Sequence, residues 1–584
     1  MDDLAAKAEQ YGVESGYHDV FGGWHPIKKE TLDRLIAAMG PRAEKPQTGL
    51  SGAHPVAFQG DGRRHWALAV QLYAVRSNRN WGHGDFTDLN RLVTLAAARG
   101  AAAIGLNPLH ALFPDNPEQA SPYGPNSRIF LNPLYIDIEA IPEFCQDSAG
   151  AADIVALRSP EMVDYTRVAR IKLSALRKAY ESFAAKATGD RRADFETFRQ
   201  EHGESLLRFA AFECLRKRYA PKPWPLWPQP WRRPDSNSLH AFRKERLADC
   251  EFQEFMQWVA DRQLRDCQEN ARRRGMPIGL YIDLAVGIDP HGADAWSQQD
   301  AVLADISVGA PPDEFNPAGQ DWGLAPVNPN TVACNDFAPM RKLMRAAMRH
   351  AGAIRLDHVL GLKRIFMIPR GMSADRGAYV RYPFEQLLNV VAEESQRARC
   401  AVIGEDLGTV PEGFRDTVSR FGLWSYRVML FERDHQGRFK PPETYPVDAL
   451  ATFNTHDLST FRGWLNGHDM RVKRSIGLDP GETNESRDWA QRNLREALQE
   501  HAPSTNPNNF AAVATFLAAT PSRLACVALD DILNVEDQIN IPGTVEQHPN
   551  WRRKLPVVLE ELDGNDELRR VAEAFAQSGR SAGQ

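Results

Sequence analysis

From His65 onward, apolar runs alternate with stretches of helical periodicity, and this alternation limits the possible fold more than any other feature of the chain. "HWALAVQLYAVR" (His65 to Arg76) reads as a strand, and "FTDLNRLVTLAAARG" (Phe86 to Gly100) as a helix stopped by glycine. "AAAIGLNPLH" reads as a second strand and "LNPLYIDI" as another. Then come "IGLYIDLAVG" (Ile278 to Gly287), "AIRLDHVL", "CAVIGEDLG" (Cys400 to Gly408), "SYRVML", "ALATFNTHD" (Ala449 to Asp457) and "LACVALDDIL" (Leu524 to Leu533). Near-continuous apolar strands separated by helices imply a parallel sheet covered on both faces. Roughly eight such units favour a (β/α)8 TIM barrel, an α/β fold. A doubly wound open sheet is the alternative, weakened because no Gly-rich phosphate loop follows the first strand.

The flanks and the interior of the alternation suggest the domain plan. Residues 1–62 read as an N-terminal helical segment and linker: "KKETLDRLIAAMG" has helical spacing and ends at Gly40, and residues 41–62 are rich in Pro and Gly. Residues 63–584 are expected to form the barrel. Within it, residues 144–275 interrupt the pattern as a mostly helical insertion, where Phe252, Phe255, Met256, Val259 and Leu264 share roughly one face. The insertion contains "PKPWPLWPQPWRRP" (Pro221 to Pro234). Its tryptophans could stack on sugars, but a stiff arm packed on the helices is the plainer expectation.

Composition removes several classes of function. The 584 residues carry a formal net charge of −6, so no electrostatic footprint for nucleic acid exists. Seven cysteines without a CxxC pair argue against a disulfide framework or a zinc site and for reduced thiols in a cytoplasmic chain. The acidic start, "MDDLAAKAEQ", lacks an apolar core of a signal peptide, and no apolar run has the length of a membrane span. Neither HExxH nor an EF-hand loop is present, so neither a metal nor an organic cofactor is expected.

The chemistry is expected at the C-terminal ends of the strands, where such barrels build their sites. Asp283 ends "IGLYID", Asp357 ends "AIRLD", Glu405 and Asp406 end "AVIGED", and Asp457 ends "ATFNTHD". A single Asp there is often a turn or cap residue. Repetition at successive strand ends, with Arg355, His358 and His456 beside them, crowds like charges and calls for a use. Glycoside chemistry supplies one: one carboxylate attacks the anomeric carbon, and a protonated one serves the leaving oxygen. Arg355 beside Asp357 would keep it ionised. Glu405, near Asp357 and Asp457, would be raised by like-charge repulsion and suits the acid. An ion pair that merely fixes the barrel rim is the other reading of Arg355 and Asp357 taken alone.

At these residues the chain resembles the amylomaltases, bacterial 4-α-glucanotransferases related to the α-amylases. The likeness runs from about Gln71 to Lys554 through "QLYAVRSNRNWGHGDFTDL", "SPYGPNSRIFLNPLYID", "GAPPDEFNPAGQDWG", "AIRLDHVLGLKRIF", "IGEDLG", "THD" and "VEDQINIPGTVEQHPNWRRKL". It implies transfer of a 1,4-α-D-glucan segment to the 4-position of glucose or another glucan by a retaining double displacement. An α-amylase-type hydrolase with the same carboxylates is the alternative. It implies that Asp357 is the nucleophile, preceded by Arg355, and Glu405 the acid/base. His456 and Asp457 would hold the distorted sugar before the cleaved bond, and Tyr123 would pack on it. Asp283, His358 and Asn540 would contact substrate. Gln320 and Trp322 would belong to a lid over the acceptor side, residues 309–323. There, Gly309, Pro311, Pro312, Pro317 and Gly319 argue against a regular helix or central strand, and Phe315 and Trp322 offer faces to sugar rings. The chain departs from the family pattern at Gly404 and at Leu458-Ser459, and the segment ahead of Trp66 is short beside that of larger bacterial relatives.

Overall fold

Eight parallel strands close into a barrel in the order in which the chain makes them. They are β1 (His65–Val70), β2 (Ala103–Leu106), β3 (Gly279–Leu284), β4 (Ala353–Leu356), β5 (Ala401–Gly404), β6 (Trp424–Val428), β7 (Ala449–Thr452) and β8 (Leu524–Ala528). The barrel belongs to a computed structural model that describes residues 2–18, 22–41, 54–145, 150–312, 318–408 and 410–582. β1 and β8 pair in parallel and complete the ring. Most strand positions are buried on both faces, as a helix-covered parallel sheet requires. The ring is filled by small side chains such as Ala67, Ala103 and Ala353 around Tyr281 and Trp424. The helix after β1, Phe86–Ala98, starts from a capping box in which Asp85 accepts from the Thr87 and Asp88 backbone N–H groups.

One predicted strand is absent from the barrel. In "LNPLYIDI" the chain makes a short 3-10 turn, Pro133–Tyr135, because Asn132 caps it through Leu134 N–H and Pro133 has no N–H to give a ladder. The residues just before it, Ser127–Leu131, pair with His110–Ala111 in a small antiparallel hairpin beside the barrel mouth.

Between β2 and β3 lie long helices, chiefly Tyr165–Lys186, Gly189–Tyr219 and Leu247–Arg273. Leu247–Arg273 packs along Phe86–Ala98 and against β3. It therefore serves both as the wall of the helical region and as the crossover helix of a βαβ unit. Trp227 in the Pro-rich stretch is buried against Phe212 and Trp296. Trp224 donates to Pro290 O at 3.0 Å, and the Trp231 carbonyl accepts from Trp296. These tryptophans are packed as an arm and present no sugar-stacking platform.

A second sheet stands beside the barrel, in the order Ala378–Arg381, Arg364–Pro369, Ile306–Ala310, Gln320–Leu324. The N-terminal helices pack on it: Ala8, Leu32 and Leu35 share a core with Ile306, Met367 and Val380. Val13 bridges Val380 across the join. Residues 42–53 of the expected linker lie outside the described residues.

This sheet corrects the reading of residues 309–323. Ile306–Ala310 is a central strand and Gln320–Leu324 its antiparallel neighbour. Gly309 makes this possible where a larger residue would not, since a Cβ there would meet Gln320 O at 2.0 Å. Pro311 and Pro312 come just after the strand, where no ladder N–H is needed. Residues 313–317, including Phe315 and Pro317, lie outside the described residues.

Candidate active site

β3 and β4 run in register with Asp283 beside Arg355. Side chains alternate along a strand, so Arg355 and Asp357, two residues apart, aim the same way. One guanidinium nitrogen of Arg355 lies 2.7 Å from Asp283 Oδ2 and 3.0 Å from Asp357 Oδ1. On the other side β5 pairs Ile403 with Arg355 and Gly404 with Leu356. Past the ladder, Glu405 N–H donates to Leu356 O, which sets Glu405 beside Asp357 at the rim.

The turn after Asp357 is unusual. His358 has φ of 49°, a left-handed conformation uncommon outside glycine. That turn points His358 N–H at Glu405 Oε2, 2.9 Å away, while Leu407 N–H donates to Glu405 Oε1 at 2.7 Å. Both oxygens of Glu405 are therefore held by backbone. Asp406, next in sequence, faces away: it accepts from Tyr426 N–H and pairs with Arg415 at 2.7 Å.

Burial pushes the Asp357 carboxyl up to about 6; Arg355 pulls it down, while Asp283 and Glu405 push it further up. Burial also raises Glu405, opposed by Arg355 and the two backbone donors and aided by Asp406. The main cause at Glu405 is thus desolvation, where the sequence suggested repulsion from Asp357 and Asp457. Burial lowers the His358 imidazole, against the pull of the Asp357 carboxylate.

A second cluster forms at the end of β7. Tyr123 hydroxyl donates to Asp283 Oδ2 at 2.5 Å and lies 3.3 Å from His456 Nδ1. The two rings stack with centroids 4.8 Å apart. His456 Nε2 is 3.3 Å from Asp457 Oδ2, and Asn540 donates to Asp457 Oδ1 at 2.6 Å. Burial alone would lower the His456 imidazole, but the Asp457 carboxylate outweighs it and raises it. Asp457 is held below its ordinary range: burial pushes up, and His456 and Asn540 overcome it. The Asp457 side chain is 43% exposed against 18% for Asp357, so it has an open face toward the mouth.

Gln320 and Trp322 reach the same mouth from the second sheet. Trp322 Nε1 donates to Gln320 Oε1 at 3.1 Å, and its ring meets that of His358 edge-on at 5.3 Å. The eleven residues expected to catalyse or bind substrate thus fall in two connected clusters and the hairpin beside them, whereas Asp406 faces away.

Three further residues belong to the constellation. Trp551 packs on both Tyr123 and His456, at 5.4 and 5.3 Å. Gln538 donates to the backbone oxygens of Asp457 and Asn540, each at 2.7 Å. Tyr426 lies under the Arg355 guanidinium at 5.4 Å. Trp551 heads "WRRK", which reads as a surface basic patch; a lone aromatic beside three cations gives little sign of burial. Among the described residues no three His, Cys, Asp or Glu side chains form a metal-holding group, and no helix is long and apolar enough to cross a membrane.

The arrangement offers two raised carboxyls, one against a cation and one held by backbone donors, below an aromatic and imidazole wall. Comparison with known proteins agrees with that chemistry. A family profile described as 4-alpha-glucanotransferase matches residues 70–560. A 4-alpha-glucanotransferase of Mycobacterium bovis is 37% identical over 547 residues, covering 88% of this chain and 75% of that one. One from Haemophilus influenzae is 35% identical over 546 residues, covering 87% and 78%. The crystal structure of amylomaltase from Corynebacterium glutamicum superposes with a TM-score of 0.83 at 28% identity, covering 98% of this chain and 99% of that one. The chain belongs to the 4-alpha-glucanotransferase family.

Proposed function

We propose that this member of the family moves a segment of a 1,4-α-D-glucan to the 4-position of glucose or of another glucan, by double displacement with retention. The observation that carries the reading is the pairing of Asp357 with Arg355 next to a backbone-held, raised Glu405 at neighbouring strand ends.

Asp357 is the nucleophile. With its carboxyl near 6 it is mostly ionised at pH 7, and Arg355 orients it. Glu405, raised by burial, gives its proton to the departing glycosidic oxygen. As that proton leaves, the His358 and Leu407 N–H groups stabilise the new carboxylate, which then takes a proton from the incoming 4-hydroxyl. Asp457 with its open face, and His456, which Asp457 raises, grip the hydroxyls of the sugar before the cleaved bond. Tyr123 packs on that ring, and Asp283 fixes both Tyr123 and Arg355. Asn540 orients Asp457.

Family membership favours transfer over the hydrolysis that the carboxylates alone allow. Water outnumbers any sugar, so transfer needs a bound acceptor and a dry site. Trp322 and Gln320, on the hairpin that meets His358, supply that wall. Thin-layer chromatography of a maltotriose digest tests the reading. It predicts glucose together with a ladder of longer oligosaccharides; shortening alone would make the enzyme a hydrolase.

A further inference from the structure

Away from the barrel mouth, the helices Gly189–Tyr219 and Leu247–Arg273 pack side by side. They bring Cys214 and Cys250 together with sulfur atoms 3.6 Å apart. A disulfide needs about 2.05 Å, so a small side-chain movement closes the gap. The two thiols are unequal. Cys250 is fully buried, whereas Cys214 is half-buried and lines a surface cavity of about 600 Å³. The cavity's charge is mixed: Lys217, Arg218 and Arg246 line it beside Arg216, which pairs with Asp115 and Glu213, and beside Asp249. Nothing in the proposed glucan chemistry uses either cysteine.

We propose that Cys214 and Cys250 form a thiol–disulfide exchange site that accepts small disulfides and closes into an internal cross-link. The Cys214 thiolate, at the cavity wall, attacks one sulfur of the incoming disulfide. A mixed disulfide forms and one thiolate leaves, taking a proton from solvent. Cys250, too deep to meet the reagent, then loses its proton and attacks Cys214 sulfur; the second thiolate leaves. The protein loses two electrons and two protons, and the reagent becomes two thiols. The Cys250 thiol beside it, burial and the Asp249 and Glu213 carboxylates all raise the Cys214 thiol, so exchange quickens as pH rises.

The position gives the cross-link a consequence. Glu213, next to Cys214, accepts from Asn126 Nδ2 at 2.7 Å, and Asn126 lies on the loop that carries Tyr123. The link also joins the two ends of the segment that holds the tryptophan arm.

Peptide mapping after exposure to glutathione disulfide tests the site. The full chain is incubated folded, denatured with an alkylating agent, digested and weighed. We expect a peptide pair joining Cys214 to Cys250, lost after dithiothreitol and formed faster at pH 9 than at pH 7. In Cys250→Ser, with no resolving thiol, a glutathione adduct should remain on Cys214. Both residues recovered as alkylated thiols in the wild-type chain, while the exposed Cys145 and Cys334 carry adducts, would overturn the proposal.

Discussion

The two sides of the active-site mouth are built differently. On the proposed donor side, Asp357, Glu405, Asp283 and Arg355 sit at the ends of barrel strands, the last three buried and Asp357 partly so, each with short charged or backbone partners. On the proposed acceptor side, Gln320 and Trp322 sit on an outer strand of another sheet, whose core is shared with the N-terminal helices. They bond to each other and touch the barrel through the edge of His358. The difference separates two tasks. Bond cleavage needs groups held within fractions of an ångström. The choice between water and a sugar as acceptor needs a wall that can admit and cover a second substrate. Mutations on the donor side should therefore change rate, and those on the acceptor side should change outcome.

The largest effect is expected at Asp357. Asp357→Asn keeps the shape, removes the proposed nucleophile and should lower kcat by about 10⁴-fold or more, as losing a nucleophile does elsewhere. Circular dichroism should show an unchanged fold. Comparable transfer by freshly prepared Asp357→Asn would end the division of labour at its first premise.

A smaller effect tests the electrostatics of the same side. Asp357 must be ionised to attack, so kcat/KM should fall as pH drops through about 6. Asp283 contributes to that elevated value. Asp283→Asn should move the acid limb of the profile to lower pH, in addition to weakening substrate binding. An acid limb that stays in place would assign it to another group.

The smallest change in rate, and the one most diagnostic of the comparison, is at Trp322. Trp322→Ala should lower the ratio of transfer product to free glucose several-fold in one maltotriose reaction, with total turnover within about tenfold of wild type. An unchanged ratio would make this hairpin a structural support only.

The donor side was legible in the sequence because its signal is local. A buried strand that ends in Asp or Glu breaks an apolar run, and four such breaks at strand ends point to one rim. The acceptor side was harder to read. Gly309 and the prolines near it suggest a loop, yet Gly309 is the residue that lets two strands approach closely. The N-terminal helices look separate until the sheet they cover is known, since that sheet is assembled from segments on either side of β4. Trp551 and Gln538 were missed for a similar reason: Trp551 packs on Tyr123 and His456, and Gln538 bonds to Asp457, all far away in the chain. The turn at His358, which delivers an N–H to Glu405, depends on a backbone angle that no residue type there announces.

The central claim is that Asp357 forms the covalent bond and Glu405 only moves protons. Glu405→Gln should be slow on maltotriose but should still react at its first step with an α-glycosyl fluoride, whose leaving group needs little protonation. The intermediate should then accumulate. Mass spectrometry of a rapid acid quench, followed by digestion, should find one glycosyl group on the peptide that contains Asp357. A glycosyl group on a different residue, or full consumption of the fluoride with no adduct at any time, would contradict the account.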